Sequence, residues 1–90
     1  MEITNVRIRV ANDADKPNLK AIASVIFDDL FVVHEIRILQ GSKGLIIAMP
    51  NKRLKNGAFM DIANPLKAEI RNRIDEAVCE AYEKALMELE

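Results

Sequence analysis

At Asn64-Pro65 the period of the hydrophobic pattern changes, and that change limits what these 90 residues can fold into. Before it, apolar residues fall in short alternating or continuous runs separated by turn-forming residues, which is strand patterning. After it, Leu66, Ile70, Ile74, Ala77, Val78, Ala81, Ala85 and Leu89 recur at helical spacing, with no glycine or proline between them. Asparagine offers an acceptor at an N-cap and proline suits the first helical position. A helix is therefore expected to start there and run toward the C-terminus, broken at most once. Strands followed by one long helix give the α+β class. The expected architecture is an antiparallel β-sheet of four to five strands and a long C-terminal α-helix, as a single domain over residues 1–90.

Upstream, residues 2–10 alternate Val6, Ile8 and Val10 with Arg7 and Arg9. One face is apolar and the other cationic, either as an ordinary solvated face or as a positive stripe. Residues 12–18, NDADKPN, have turn composition throughout. In residues 19–27, Leu19, Ala21, Ala23, Val25 and Phe27 share a face and Ile22 and Ile26 the other, as expected of a central strand covered on both sides. Asp28-Asp29 suits a turn tip. Residues 30–39 place Val32, His34, Ile36 and Ile38 on one face, so His34 is expected as a hydrogen-bonded structural residue among aliphatics. The opposite face would carry Glu35 and Arg37 within reach of each other. A glycine-rich turn at 40–44 leads into LIIAM at 45–49, expected to be buried on both faces or against a partner.

Pro50 has no amide hydrogen and should end that ladder. Residues 51–57, NKRLKNG, read as a polar loop with the densest positive charge of the chain: Lys52, Arg53 and Lys55. Residues 58–63 can add a short strand anchored inward by Phe59 or Met60. Lys67, Arg71 and Arg73 then open the helix, close enough in sequence to share a surface with the first cluster. The helix N-terminus adds partial positive charge there.

Formal net charge is −1, which hides an asymmetry. From Asp75 onward there are six acids and one base, Lys84, leaving twelve bases and eight acids before it. A mildly basic body permits a nucleic-acid partner without requiring one. The lone Cys79 has no disulfide partner within the chain, which fits a reducing compartment. No signal-peptide pattern or bilayer-length apolar run is present, so a cytoplasmic protein without membrane partners is expected. No phosphate-cradling glycine loop and no metal-ligand spacing occurs, so neither cofactor, metal nor small-molecule substrate is expected. His34 and Cys79 lack the spacing of a nucleophile–base pair, so no catalytic residue is assigned and the chain is read as non-enzymatic.

Several runs occur in a recognisable order: FVVHEIRI, then GLIIAMPNKR, then G-x-F-x-DIA-x-P, then a helix with Arg71, Ile74 and Ala77-Val78. Together with EITNVRIR near the start and AIAS at 21–24, they cover nearly the whole chain. In this the chain resembles the SpoVG family, small bacterial regulators associated with sporulation and septation. It departs from the usual pattern at Asn64, where histidine is frequent, at Met60, where arginine is frequent, and in Leu-Lys-Asn at 54–56. The resemblance implies a cytoplasmic, non-enzymatic regulator that binds DNA, and RNA in some members, as a homodimer. It carries the basic segment onto Lys52 and Arg53 and the helical arginine onto Arg71.

Two functions are thus expected. One is a nucleic-acid-binding regulator of gene expression using Lys52, Arg53, Lys55, Arg71, Arg73 and Lys67. The alternative is a protein–protein interaction module in cell-division or sporulation control that docks through its mixed-charge helix. A homodimer is expected in either case, because LIIAM and the helix stripe present more apolar surface than one small domain covers.

Overall fold

The computed structural model describes residues 1–12 and 14–89. Asp13, within the expected 12–18 turn, and Glu90, one of the C-terminal acids, lie outside the described residues. Around Asp13, the Ala11 amide donates to the Lys20 carbonyl at 2.9 Å and the Leu19 amide to Lys16 at 3.1 Å.

The described residues form an antiparallel sheet in the order β1 (Ile3–Val10), β2 (Leu19–Phe27), β3 (Phe31–Gly41) and β4 (Gly44–Ala48). A separate two-stranded sheet follows, β5 (Asn51–Arg53) with β6 (Phe59–Asp61), and then the helix α1 (Ala68–Glu88). The α+β expectation therefore holds, with four strands in the main sheet. Residues 51–53 are strand rather than loop, and β6 pairs with them instead of joining the main sheet.

Period-2 patterning puts Ala21, Ala23, Val25 and Phe27 of β2 on the inner face, where they meet Ile36 and Ile38 of β3 and Ile47 of β4. Ile74, Val78 and Tyr82 close the core from α1, spaced four apart on one helical face. The small alanines of β2 leave room for the larger helical side chains. The outer face of β2 is half-exposed at Ile22, Ser24 and Ile26, so this central strand is covered on one side only.

Asp28 and Asp29 both adopt left-handed φ values, 53° and 55°. This form of turn matches the right-handed twist of the strands it joins. Asp28 accepts from the Glu2 amide at 3.0 Å, and the Asp29 amide donates to Thr4 Oγ1 at 2.9 Å, so the turn is tied to the start of β1.

Glu35 corrects the expected faces of β3. Its φ is 62° and the register with β2 shifts between Ala23 and Val25, so a bulge reverses the alternation. Val33, Ile36 and Ile38 face the core, while His34 is exposed on the outer face with Ser24. β4 departs from expectation too: Ile47 and Met49 are buried but Leu45 and Ile46 are exposed.

The helix begins at Ala68, with Lys67 at the N-cap position and no side-chain cap bond among the described residues. Asn64-Pro65 does not start it. Ala63, Asn64 and Pro65 instead line a hollow with Phe27, Met49 and Ile74, covering the open end of the core. A cap contributes only about 1 kcal/mol, which packing of this segment outweighs. Leu66, counted in the helical stripe, is consequently exposed.

Candidate nucleic-acid interface

The β5–β6 ladder pairs Asn51 with Asp61, Lys52 with Met60 and Arg53 with Phe59. A tight connection holds it: the Leu54 amide donates to Ala58 at 2.7 Å, the Gly57 amide to Leu54 at 3.0 Å, and the Ala58 amide to Asn56 Oδ1 at 2.9 Å. At its base the Ile62 amide donates to the Pro50 carbonyl at 2.7 Å and Asn51 Nδ2 to the Met49 carbonyl at 3.0 Å. Pro50 thus ends the first ladder and its carbonyl anchors the second.

Lys52, Arg53 and Lys55 are all exposed, and none forms an ion pair among the described residues. Their neighbours across the ladder are apolar and exposed as well, Phe59 at 69% and Met60 at 46%. One or the other was expected to anchor the strand inward. Neither does, because the hairpin forms a sheet separate from the main one. An exposed aromatic ring beside an arginine is the pairing that stacks a base while neutralising a phosphate. Phe59 is therefore a functional candidate that strand patterning misassigned; the Asn-Gly turn and the basic residues opposite it were the available signal.

The helical bases behave differently from one another. Arg71 is half-buried; its Nε meets Asp75 Oδ1 at 3.1 Å, and its guanidinium also donates to the Ile47 carbonyl on the outer edge of β4. It joins the start of α1 to the sheet. Arg73 pairs with Glu69 at 3.0 Å on the exposed side of α1, and Lys67 is exposed at the helix start. Glu69 and Asp75 offset part of the positive charge expected near this helix start.

A second basic surface lies on the outer sheet face. Arg9 and Arg37 flank Ile22 in one cross-strand row, and Arg7 is opposite Ser24 in the next. Arg37 also shares a hollow with Pro50, Asn51 and Ile62, which brings this face to the base of the hairpin. The alternation of Arg7 and Arg9 was visible in sequence, and so was the place of Arg37 on the face opposite the buried Ile36 and Ile38; the Glu35 bulge changes only the residues before it.

The sequence profile of the SpoVG family matches residues 1–84. A relative from Desulforudis audaxviator, described as "Putative septation protein SpoVG", is 55% identical over 83 residues, 92% of each chain. Relatives of the same description from Clostridium beijerinckii and Clostridioides difficile are 49% identical over 88 residues and 46% over 90. These alignments cover 98% and 100% of this chain and 94% and 96% of theirs. The chain belongs to the SpoVG family.

The segments that carry the SpoVG resemblance have distinct places. FVVHEIRI lies in β3, GLIIAMPNKR runs through β4 into the basic strand β5, and F-x-DIA-x-P forms β6 and the lining of the hollow at the end of the core. His34 Nδ1 lies 2.9 Å from Ser24 Oγ, a structural hydrogen bond whose partner sequence spacing could not name. Cys79 is partly buried on α1, and its thiol is pushed above the ordinary value by burial, with the Asp75 and Glu83 carboxylates adding to the shift. It stays protonated at neutral pH and is a weak nucleophile. Among the described residues no group of three or more His, Cys, Asp or Glu side chains could hold a metal, and no helix is long and apolar enough to cross a membrane.

Proposed function

We propose that this SpoVG-family chain is a non-enzymatic, cytoplasmic regulator that binds DNA, with RNA as a second candidate, and acts in septation or sporulation as a homodimer. The septation role comes from the names of its relatives. The binding role rests on one observation: Lys52, Arg53 and Lys55 are exposed and unpaired among the described residues, beside the solvent-facing ring of Phe59. Lysine and arginine there neutralise phosphates and release counterions, a sequence-independent and salt-sensitive contribution. Lys67 and Arg73 belong to the same reading, whereas Arg71 contributes by holding the helix start against β4. A two-fold dimer presents the hairpin twice, so two weak sites act together through raised effective concentration.

Fluorescence anisotropy with labelled duplex and single-stranded oligonucleotides over a salt series tests the reading. The Lys52→Ala/Arg53→Ala variant should bind more weakly and lower the slope of log K against log salt by roughly 1.4 to 1.8, the value for two lost phosphate contacts. Equal binding by variant and parent, or no binding by the parent at low salt, overturns it. The second reading, a protein-interaction module, is favoured by the exposed acids Glu76, Glu80, Glu83 and Glu88 along the distal helix and by the net charge of −1. It is the one left standing if the parent ignores nucleic acid.

A further inference from the structure

The main sheet has a gap in its hydrogen bonding. β3 is eleven residues long, and β2 lies beside it from Phe31 to Leu39. On its other side β4 reaches only from Arg37 to Gly41. Phe31 to Ile36 therefore have no ladder partner on that side among the described residues, and none of the backbone bonds outside the ladders reaches them. Open strand edges are templates for another strand.

The other two open edges differ. β1 carries Arg7 and Arg9, charges of the kind that discourage edge pairing. β4 is five residues long, and the Ile47 carbonyl on its edge is taken by Arg71. The open part of β3 reads Phe-Val-Val-His before the bulge at Glu35 stops it. It forms one wall of a groove of about 320 Å³ whose other wall is Pro50, Asn51, Ile62 and Ala63 at the base of the small hairpin.

Exposed apolar side chains surround this edge. Leu30 is 89% exposed, Phe31 64%, Val32 40% and Ile62 67%, and the exposed Met1 shares a hollow with Phe31. Isolated exposed apolar residues are ordinary; several gathered beside one unpaired edge are not.

We propose that this edge is the homodimer interface: residues 31–34 of two copies pair antiparallel about a two-fold axis, joining the two main sheets into one. This rests on the dimer reading above and says where the copies meet. A second copy is the occupant because a two-fold turns a segment antiparallel to itself, so each supplies the strand the other lacks. The axis passes through Val32 or Val33, the residue that faces its own counterpart. The two Glu35 side chains then sit at opposite ends of the paired segment, roughly 13–20 Å apart at a rise of 3.3 Å per residue, so like charges do not meet. The bulge at Glu35 confines the pairing, and the interface closes as a dimer instead of propagating as a filament.

Sedimentation velocity over a concentration series, with amide hydrogen exchange of the unsubstituted protein above and below the dissociation midpoint, tests the proposal. Amides within residues 31–34 should exchange at least tenfold more slowly in the dimer, while those of the outer edge of β1 keep their rates. The Val32→Lys/Ile62→Lys variant alters two exposed positions and should dissociate at least tenfold more readily with an unchanged circular dichroism spectrum. A dimer without protection at 31–34, or with protection on the β1 or β4 edge instead, overturns the edge pairing and leaves the dimer reading intact. A monomer at every concentration overturns both.

Discussion

The two hairpins that follow β2 are built on opposite terms. In β3–β4, residues 37–41 pair with 44–48, and Ile38 and Ile47 face each other inside the core. In β5–β6 there are three pairs, and Phe59, Met60 and Asp61 are all exposed. The first is held by burial, the second by its own turn hydrogen bonds and two anchors at its base. A hairpin that contributes little to the core can devote its side chains to a ligand, and its sequence can change without unfolding the domain. The densest basic cluster of the chain lies on the second hairpin.

The largest test of this contrast is cavity formation. Ile38→Ala removes a fully buried side chain and should cost about 2–5 kcal/mol of stability. Phe59→Ala, although it deletes more atoms, should stay within about 0.5 kcal/mol. Urea denaturation of both variants decides the matter. A loss above about 1.5 kcal/mol for Phe59→Ala would mean that the small hairpin packs on something, and the division of labour would fail.

Next in size are the two helical arginines, which resemble each other in sequence and differ in setting. Arg71→Ala strips the Ile47 carbonyl and Asp75 of their shared donor at a half-buried site, and should cost about 1–2 kcal/mol. Arg73→Ala breaks an exposed pair with Glu69 and should cost less than about 0.5 kcal/mol. Thermal denaturation at low and moderate salt separates them, since the exposed pair is the more screened. Equal losses would show that the contact between Arg71 and β4 adds nothing beyond an ordinary surface pair.

This pair also marks how far the sequence could be read. Strand and helix periods, the Asp-Asp turn and the apolar core faces of β1 and β2 depend on neighbours in the chain, and all were legible. What escaped depended on tertiary placement. The bulge at Glu35 moved His34 from the core to the outer face. The end of the core drew Asn64-Pro65 away from a capping role. The carbonyl that captures Arg71 lies twenty-four residues earlier in the chain. The basic residues 52, 53 and 55 were identifiable by charge, whereas the exposure of Phe59 beside them required knowing that β5 and β6 pair with each other and not with the sheet.

The smallest effect sharpens the comparison furthest. Gly44 and Gly57 both take positive φ, 136° and 88°, and a Cβ added at either meets open space. Alanine at each position should therefore cost conformational energy alone, on the order of 1 kcal/mol. That cost can register globally only if the glycine sits in structure that unfolds with the core. At Gly44 it does, and the melting temperature should fall by about 4–8 °C. At Gly57 the strain is relieved as soon as the small hairpin opens, so the global loss cannot exceed the free energy of that local opening. The small hairpin opens before the melting temperature is reached, so Gly57→Ala should leave the melting temperature nearly unchanged, while at about 25 °C, where the hairpin is closed, the amides of Leu54 and Ala58 exchange about fivefold faster, the equivalent of the same 1 kcal/mol. Equal drops in melting temperature for the two variants would place the basic hairpin inside the cooperative unit of the domain, and its independence from the core would be lost.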